Sequence, residues 1–222
     1  MIDGDMHRAR VRLLLERGRV FNSSGSVDKA KPLFVKAWQL ASGEGIDGLA
    51  VDAAHMVAAV EVDQESMKWN QFAPDLANAS ADPDAQRWKG SLCNNIGWSH
   101  HNNGDYVKAL TYFEQALQHR QAHGKADDIR IARWCIARCL RLLDRVEEAL
   151  AIQRELEHEI ADIENPDGYV YEELAECLHV LGRTDEAKPY FRRAHELLSK
   201  DPWFVDGEAP RLARLAMLGG VD

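Results

Sequence analysis

Between Cys93 and Gln121 the chain sets out two helical stretches around a short polar break. Ile96-Gly97 marks the contact face of the first stretch, Asn103-Gly104-Asp105 is the turn, and Ala109, Phe113 and Ala116 share one face of the second. The same offsets return along the chain. Gly18 and Phe21 precede Ala30, Phe34 and Ala37; Ala137 and Leu140 precede Ala149, Gln153 and Leu156; Leu174-Ala175 precedes Ala187, Phe191 and Ala194. Ala109, Ala149 and Ala187 lie 40 and 38 residues apart, and Ala30 lies 79 before Ala109. That last gap is two periods, so a further unit is implied within 45–80 although its motif has decayed. The pattern predicts helices over 5–21, 27–41, 47–62, 65–79, 85–102, 127–143, 146–163, 169–181 and 185–198, with the second helix of the central pair between Asp105 and His123. Asn165-Pro166-Asp167-Gly168 turns the chain into the last pair, Asp201-Pro202 stops it, and 206–218 reads as a lone amphipathic helix with Leu212, Leu215 and Leu218 or Met217 inward. Pro32 and Pro189 stand two residues after Ala30 and Ala187, hinting at a shared bend; Pro74 is expected to disturb its helix.

On Ile96-Gly97, Ala109, Phe113 and Ala116, with their recurrences, the chain resembles the tetratricopeptide repeat family, whose paired helices place small residues where they touch. Cys93 and His100 stand where the family carries aromatic residues. The period exceeds the family's usual ~34 residues, which leaves armadillo- or HEAT-like pairs as neighbouring readings. The resemblance implies an all-α, right-handed superhelical solenoid in a single repeat domain spanning 1–222. Its repeats fall at about 6–42, 45–80, 85–123, 127–163 and 168–199, giving ten helices, and 206–218 is the polar-faced cap that such arrays need.

Composition adds little to this picture, with 45% hydrophobic and 28% charged residues. A net charge of −9 and the lack of a basic tract argue against nucleic acid as the main partner. There is neither an apolar run long enough for a membrane span nor a secretion signal, so the expectation is a cytoplasmic protein with no membrane partner. Cys93, Cys135, Cys139 and Cys177 form no C-x-x-C pair and read as reduced, packed thiols rather than metal ligands.

The resemblance further implies that the first helix of each pair lines a concave groove. It nominates Asn94, Asn95 and Trp98 in the third repeat, Trp134, Arg138 and Arg141 in the fourth, and Glu172, Glu173, Glu176 and His179 in the fifth. Arg12, Glu16, Arg19 and Asn22 take this face in the first repeat, Asp52 and His55 in the second. Asparagine offers both donor and acceptor to a peptide backbone, tryptophan a rigid apolar wall and arginine a fork for carboxylates. The family's role is that of an adaptor or scaffold, so the expected partner is a peptide or helix of another protein, in a small stand-alone repeat protein. Two alternatives stay open at this point. The Arg and Glu residues can neutralise one another across adjacent helices, and the array can be structural or self-associating. An enzyme is the remaining class: His100-His101, Glu173-x-x-Glu176-x-x-His179 and Asp52-x-x-His55 are the ionisable clusters to test, with His100 read as a packed residue. No phosphate loop, dinucleotide fingerprint, H-E-x-x-H or nucleophile elbow is present, so no catalytic activity and no cofactor are expected.

Overall fold

The computed structural model describes residues 2–164 and 166–221, and every regular element among them is helical. The helices are α1 (Ile2–Ser23), α2 (Val27–Gly43), α3 (Asp47–Val60), α4 (Asp63–Ala79), α5 (Pro83–Arg87), α6 (Lys89–Asn102) and α7 (Tyr106–His123). They continue as α8 (Ala126–Leu142), α9 (Val146–Ile160), α10 (Gly168–Val180), α11 (Thr184–Leu198), α12 (Pro202–Gly207) and α13 (Ala209–Gly219). The chain forms two compact units. One holds everything up to Ser99 together with Gln115–Lys125; the other holds His100–Glu114 and everything from Ala126 onward.

In the first unit α1 packs on α2 and α3 on α4. The repeating alanines and phenylalanine explain this: Ala30, Phe34, Ala37 and Ala41 line one side of α2 and are fully buried with Val11 and Leu15 of α1. Gly18 is part of the same contact. A Cβ added there would stand 2.4 Å from the Phe34 ring, so only glycine lets the helices meet over that side chain. The decayed stretch over 45–80 also forms a helix pair, α3 and α4. Its α4 carries buried Ala73 and Ala77, and the missing phenylalanine volume is supplied by Trp69 and Phe72, packed edge-on against Trp38 at 5.1 and 5.6 Å.

The backbone repeats more regularly than the side chains do. Residues with left-handed φ stand at Gly25, Asp63, Gly104, Asp144 and Gly182, close to one period apart, each near the start of a second helix. The α8–α9 turn thus uses Asp144, φ 63°, where three other repeats use glycine, because aspartate tolerates this conformation better than most residues.

Four expectations need correction. The helix expected over 85–102 is broken at Trp88 into α5 and α6. Asp82 caps α5, its carboxylate accepting from the Asp84 amide at 2.9 Å with Pro83 in the first turn, so the helix starts at Pro83, ahead of the expected residue 85. Pro74 does not interrupt α4, which runs through to Ala79. Pro202 starts a helix instead of stopping one, since Asp201 accepts from the Trp203 amide at 3.0 Å. The lone terminal helix is therefore two, α12 and α13, and thirteen helices are found among the described residues. Asn165 of the expected 165–168 turn lies outside the described residues.

In the second unit α8 packs on α9, α10 on α11, and α13 on α11. Ala149, Leu156, Ala187, Phe191 and Ala194 are buried as the pattern requires. On α13, Leu215 is buried, Leu212 and Leu218 are half-buried, and Met217 is exposed. The Arg192 guanidinium donates to the Gly219 carbonyl at 3.1 and 3.2 Å, satisfying one of the helix's terminal acceptors.

Candidate partner-binding surface

The first helices carry the nominated residues, and each unit gathers its own set. In the first unit Nη2 of Arg19 on α1 donates to both carboxylate oxygens of Asp52 on α3 at 2.6 and 2.7 Å, while Nη1 reaches Glu16. One turn along α3, His55 packs against Trp88 with ring centroids 5.7 Å apart. The Asn95 amide nitrogen of α6 lies 3.4 Å from both ring nitrogens of His55 and donates to the unprotonated one. Asn94 accepts from Arg120 at 3.4 Å. Trp98 is half-buried on the same helix. Arg19, Asp52, His55 and Asn95 thus form a polar string across α1, α3 and α6.

Burial sets the electrostatics of this string. It pushes the Asp52 carboxyl up against the opposing pull of Arg19, and it pushes the His55 imidazole down, with Arg19 adding to that effect and Asp52 opposing it. Burial likewise holds His101 and His119 below their ordinary value. A histidine lowered in the folded state favours folding fully above its unfolded pKa of about 6.5. That stability is lost as pH falls through 6.5 towards the folded value, because the unfolded chain takes up the proton first. The urea midpoint is therefore expected to fall between about pH 7.5 and pH 5.5, and His55→Gln to flatten that fall. An unchanged slope in the variant would assign the effect to other groups.

In the second unit the charges interlock. Glu173 of α10 is 0% exposed and lies between two arginines of α8. Arg138 Nη1 donates to its Oε2 at 3.2 Å, Arg141 Nη2 to the same oxygen at 3.2 Å, and Arg141 Nε to its Oε1. Glu172, also buried, receives a bidentate pair from Arg211 of α13 at 2.5 Å, and Glu176 pairs with Arg214. The Trp134 indole donates to the Tyr169 carbonyl at 3.0 Å, and the Arg138 guanidinium lies 5.6 Å from the Trp134 ring centroid. Arg138 commits only Nη1 to Glu173; its Nε is buried and makes no hydrogen bond.

Of the nominated residues, the structure brings Arg138, Arg141 and Glu173 into one cluster, places Trp134 beside Arg138, and ties Asn95 to His55. Arg211 and Arg214 escaped the sequence reading, which treated the last helix only as a polar-faced cap and named its inward leucines. A signal existed: they stand 39 and 38 residues after Glu172 and Glu176, one repeat period on. His100 is half-buried, stacked on Tyr112 at 5.4 Å. Burial pushes the Cys139 and Cys177 thiols up to about 12, which leaves them without nucleophilic thiolate near neutral pH. Among the described residues no group of three or more His, Cys, Asp or Glu is placed to hold a metal ion. None of the described helices is long and apolar enough to cross a membrane.

Comparison with known proteins finds likeness over two stretches of the sequence and in the fold. Models of the tetratricopeptide repeat match residues 90–123 and 169–197. Among solved structures, the chain is similar to nearly identical TPR-like repeats of a Podosopora anserina protein named as a kinesin light chain. The TM-score there is 0.61 and the identity 16%, over 87% of this chain and 97% of that one. It is also similar to MamA protein, with TM-score 0.51 and 11% identity over 90% and 96% of the two chains. At such identities the likeness is one of fold. A comparison with curated protein sequences gives no match.

Proposed function

We propose, from the premise that this is a tetratricopeptide-repeat protein, that its first helices bind a peptide or helical segment of another protein. The fold is one that mediates protein–protein contact, and what distinguishes this chain is the set of side chains on those helices. The observation that carries the proposal is Arg138. Its guanidinium stands over an aromatic wall and gives only Nη1 to Glu173, and with the side chain 22% exposed we assign its Nη2 to an acceptor of the partner. In this reading Arg138 meets a carboxylate of the partner and Trp134 covers an apolar side chain; in the first unit, taken by itself, Trp98 offers an apolar contact and Asn94 and Asn95 hold backbone groups. Arg141, Glu173 and Glu176 act by fixing the position of Arg138 and its neighbours. Cys139 and Cys177, buried as thiols outside any disulfide, fit the reducing cytoplasm in which we place the interaction.

The test begins with proteins recovered from native lysate on the wild-type chain, whose identified segment is then titrated against Trp134→Ala and Arg138→Ala. Both variants are checked for helical content beforehand. At least tenfold weaker binding is expected, corresponding to about 1.4 kcal/mol, a modest loss for a tryptophan or arginine at the centre of an interface. Equal affinity for all three proteins would rule out this surface.

A further inference from the structure

A second, chemically different surface lies on α1. The buried side of this helix is formed by Val11, Leu15 and Gly18. On the opposite side Met6, Leu13 and Val20 are 59%, 58% and 68% exposed, although large apolar residues ordinarily lie inside. They are seven residues apart, with exposed Ala9 between the first two and exposed Glu16, its charge paired with Arg19, between the last two. Seven-residue spacing keeps them in one narrow line, about 21 Å long over four turns, which is the seam one helix offers to another.

The charges beside this line select the occupant. Exposed Arg10 and Arg17 flank it on one side, themselves seven apart, and exposed Arg12 on the other. Arg19 is taken by Asp52 and Glu16, whereas Arg10, Arg12 and Arg17 have no carboxylate partner among the described residues. Helix α1 holds five arginines against three acidic residues, in a chain whose net charge is −9. A second copy of α1 would set arginine against arginine: Arg10 and Arg17 meet their counterparts in an antiparallel pair, and Arg12 faces Arg17 in a parallel one. A lipid surface would need a broad apolar face rather than a line one residue wide.

We infer that the outward seam of α1 docks an acidic amphipathic helix of another protein, with Met6, Leu13 and Val20 as the apolar contacts and Arg10, Arg12 and Arg17 as the counter-charges. This surface is independent of Trp134 and Arg138, so either proposal can fail without the other.

The probe is a synthetic four-heptad peptide with leucine at both seam positions and glutamate at both flanking positions. Its self-repulsion keeps it from pairing with itself. The control carries lysine in place of glutamate. Titrated into the whole chain at about 50 mM salt, the glutamate peptide is expected to bind and the lysine peptide not to, with affinity falling by about 300 mM salt. Leu13→Asp, at an exposed position that leaves folding intact, should weaken binding at least tenfold. Arg10→Glu combined with Arg17→Glu should do the same and should transfer binding to the lysine peptide. Trp134→Ala should leave the titration unchanged. The inference is overturned if the glutamate peptide shows no binding up to about 100 μM, or if either α1 variant binds it as the wild type does. It is also overturned if sedimentation shows a dimer that Leu13→Asp dissolves, which assigns the seam to a second copy. Sedimentation with phosphatidylserine vesicles in the absence of peptide binding would overturn it in favour of lipid.

Discussion

Glu173→Ala is expected to destabilise the protein by about 3–5 kcal/mol, the range seen when one member of a buried ion cluster is removed. Glu173 is 0% exposed and is the shared acceptor for Arg138 and Arg141, whose side chains are 22% and 13% exposed. With the carboxylate gone, two guanidinium groups stay beside the helix contact without their hydrogen-bonding acceptor, with only the more distant Glu172 and Glu176 as counter-charges, and water reaches them poorly. The cost lies in those orphaned charges rather than in the intrinsic strength of the pairs. Glu173→Ala combined with Arg141→Met should therefore recover much of the loss, because an apolar stem then fills the space. At the exposed pair of Arg145 and Glu148, Glu148→Ala should leave the urea midpoint unchanged, since water screens such contacts. A loss below about 1 kcal/mol for Glu173→Ala would mean that water or another acid already serves the two arginines.

Gln153→Leu is expected to act in the opposite sense, with a gain of about 1–3 kcal/mol. Gln153 occupies the site that Phe34, Phe113 and Phe191 fill in other repeats, and it is 0% exposed. Neither its amide nitrogen nor its carbonyl oxygen has a hydrogen-bond partner, so folding strips both of water without return. Leucine has nearly the same volume and no polar atoms to strand. Ala109→Leu is the contrasting case: Ala109 is fully buried where helices meet, and the added carbons should lower stability by about 1–3 kcal/mol. Denaturant midpoints of the two variants, compared at constant m-value, check both signs. A loss for Gln153→Leu would show that the amide finds partners in solution.

The sequence by itself determined the helix pairs and their period. Small and large apolar residues at the spacing of Ala30, Phe34 and Ala37 can be satisfied only by one helix laid against another, and that is a local property of the chain. The same holds for the buried face of α11, where Ala187, Phe191 and Ala194 follow the pattern. Helix boundaries were legible where a proline or glycine acts through its own dihedral angles. They were misread at Pro202, where capping by Asp201 turns a stop signal into a start.

The tertiary structure alone decided the partners of the charged residues. Glu172, Glu173 and Glu176 read from the sequence as one acidic face of α10. In the folded chain they divide between α8 on one side and α13 on the other, and two of them are buried. Periodicity states which way a side chain leaves its helix, but a charge acts over distance and its state depends on what stands opposite. What stands opposite Glu172 is Arg211, 39 residues away, and only folding brings it there.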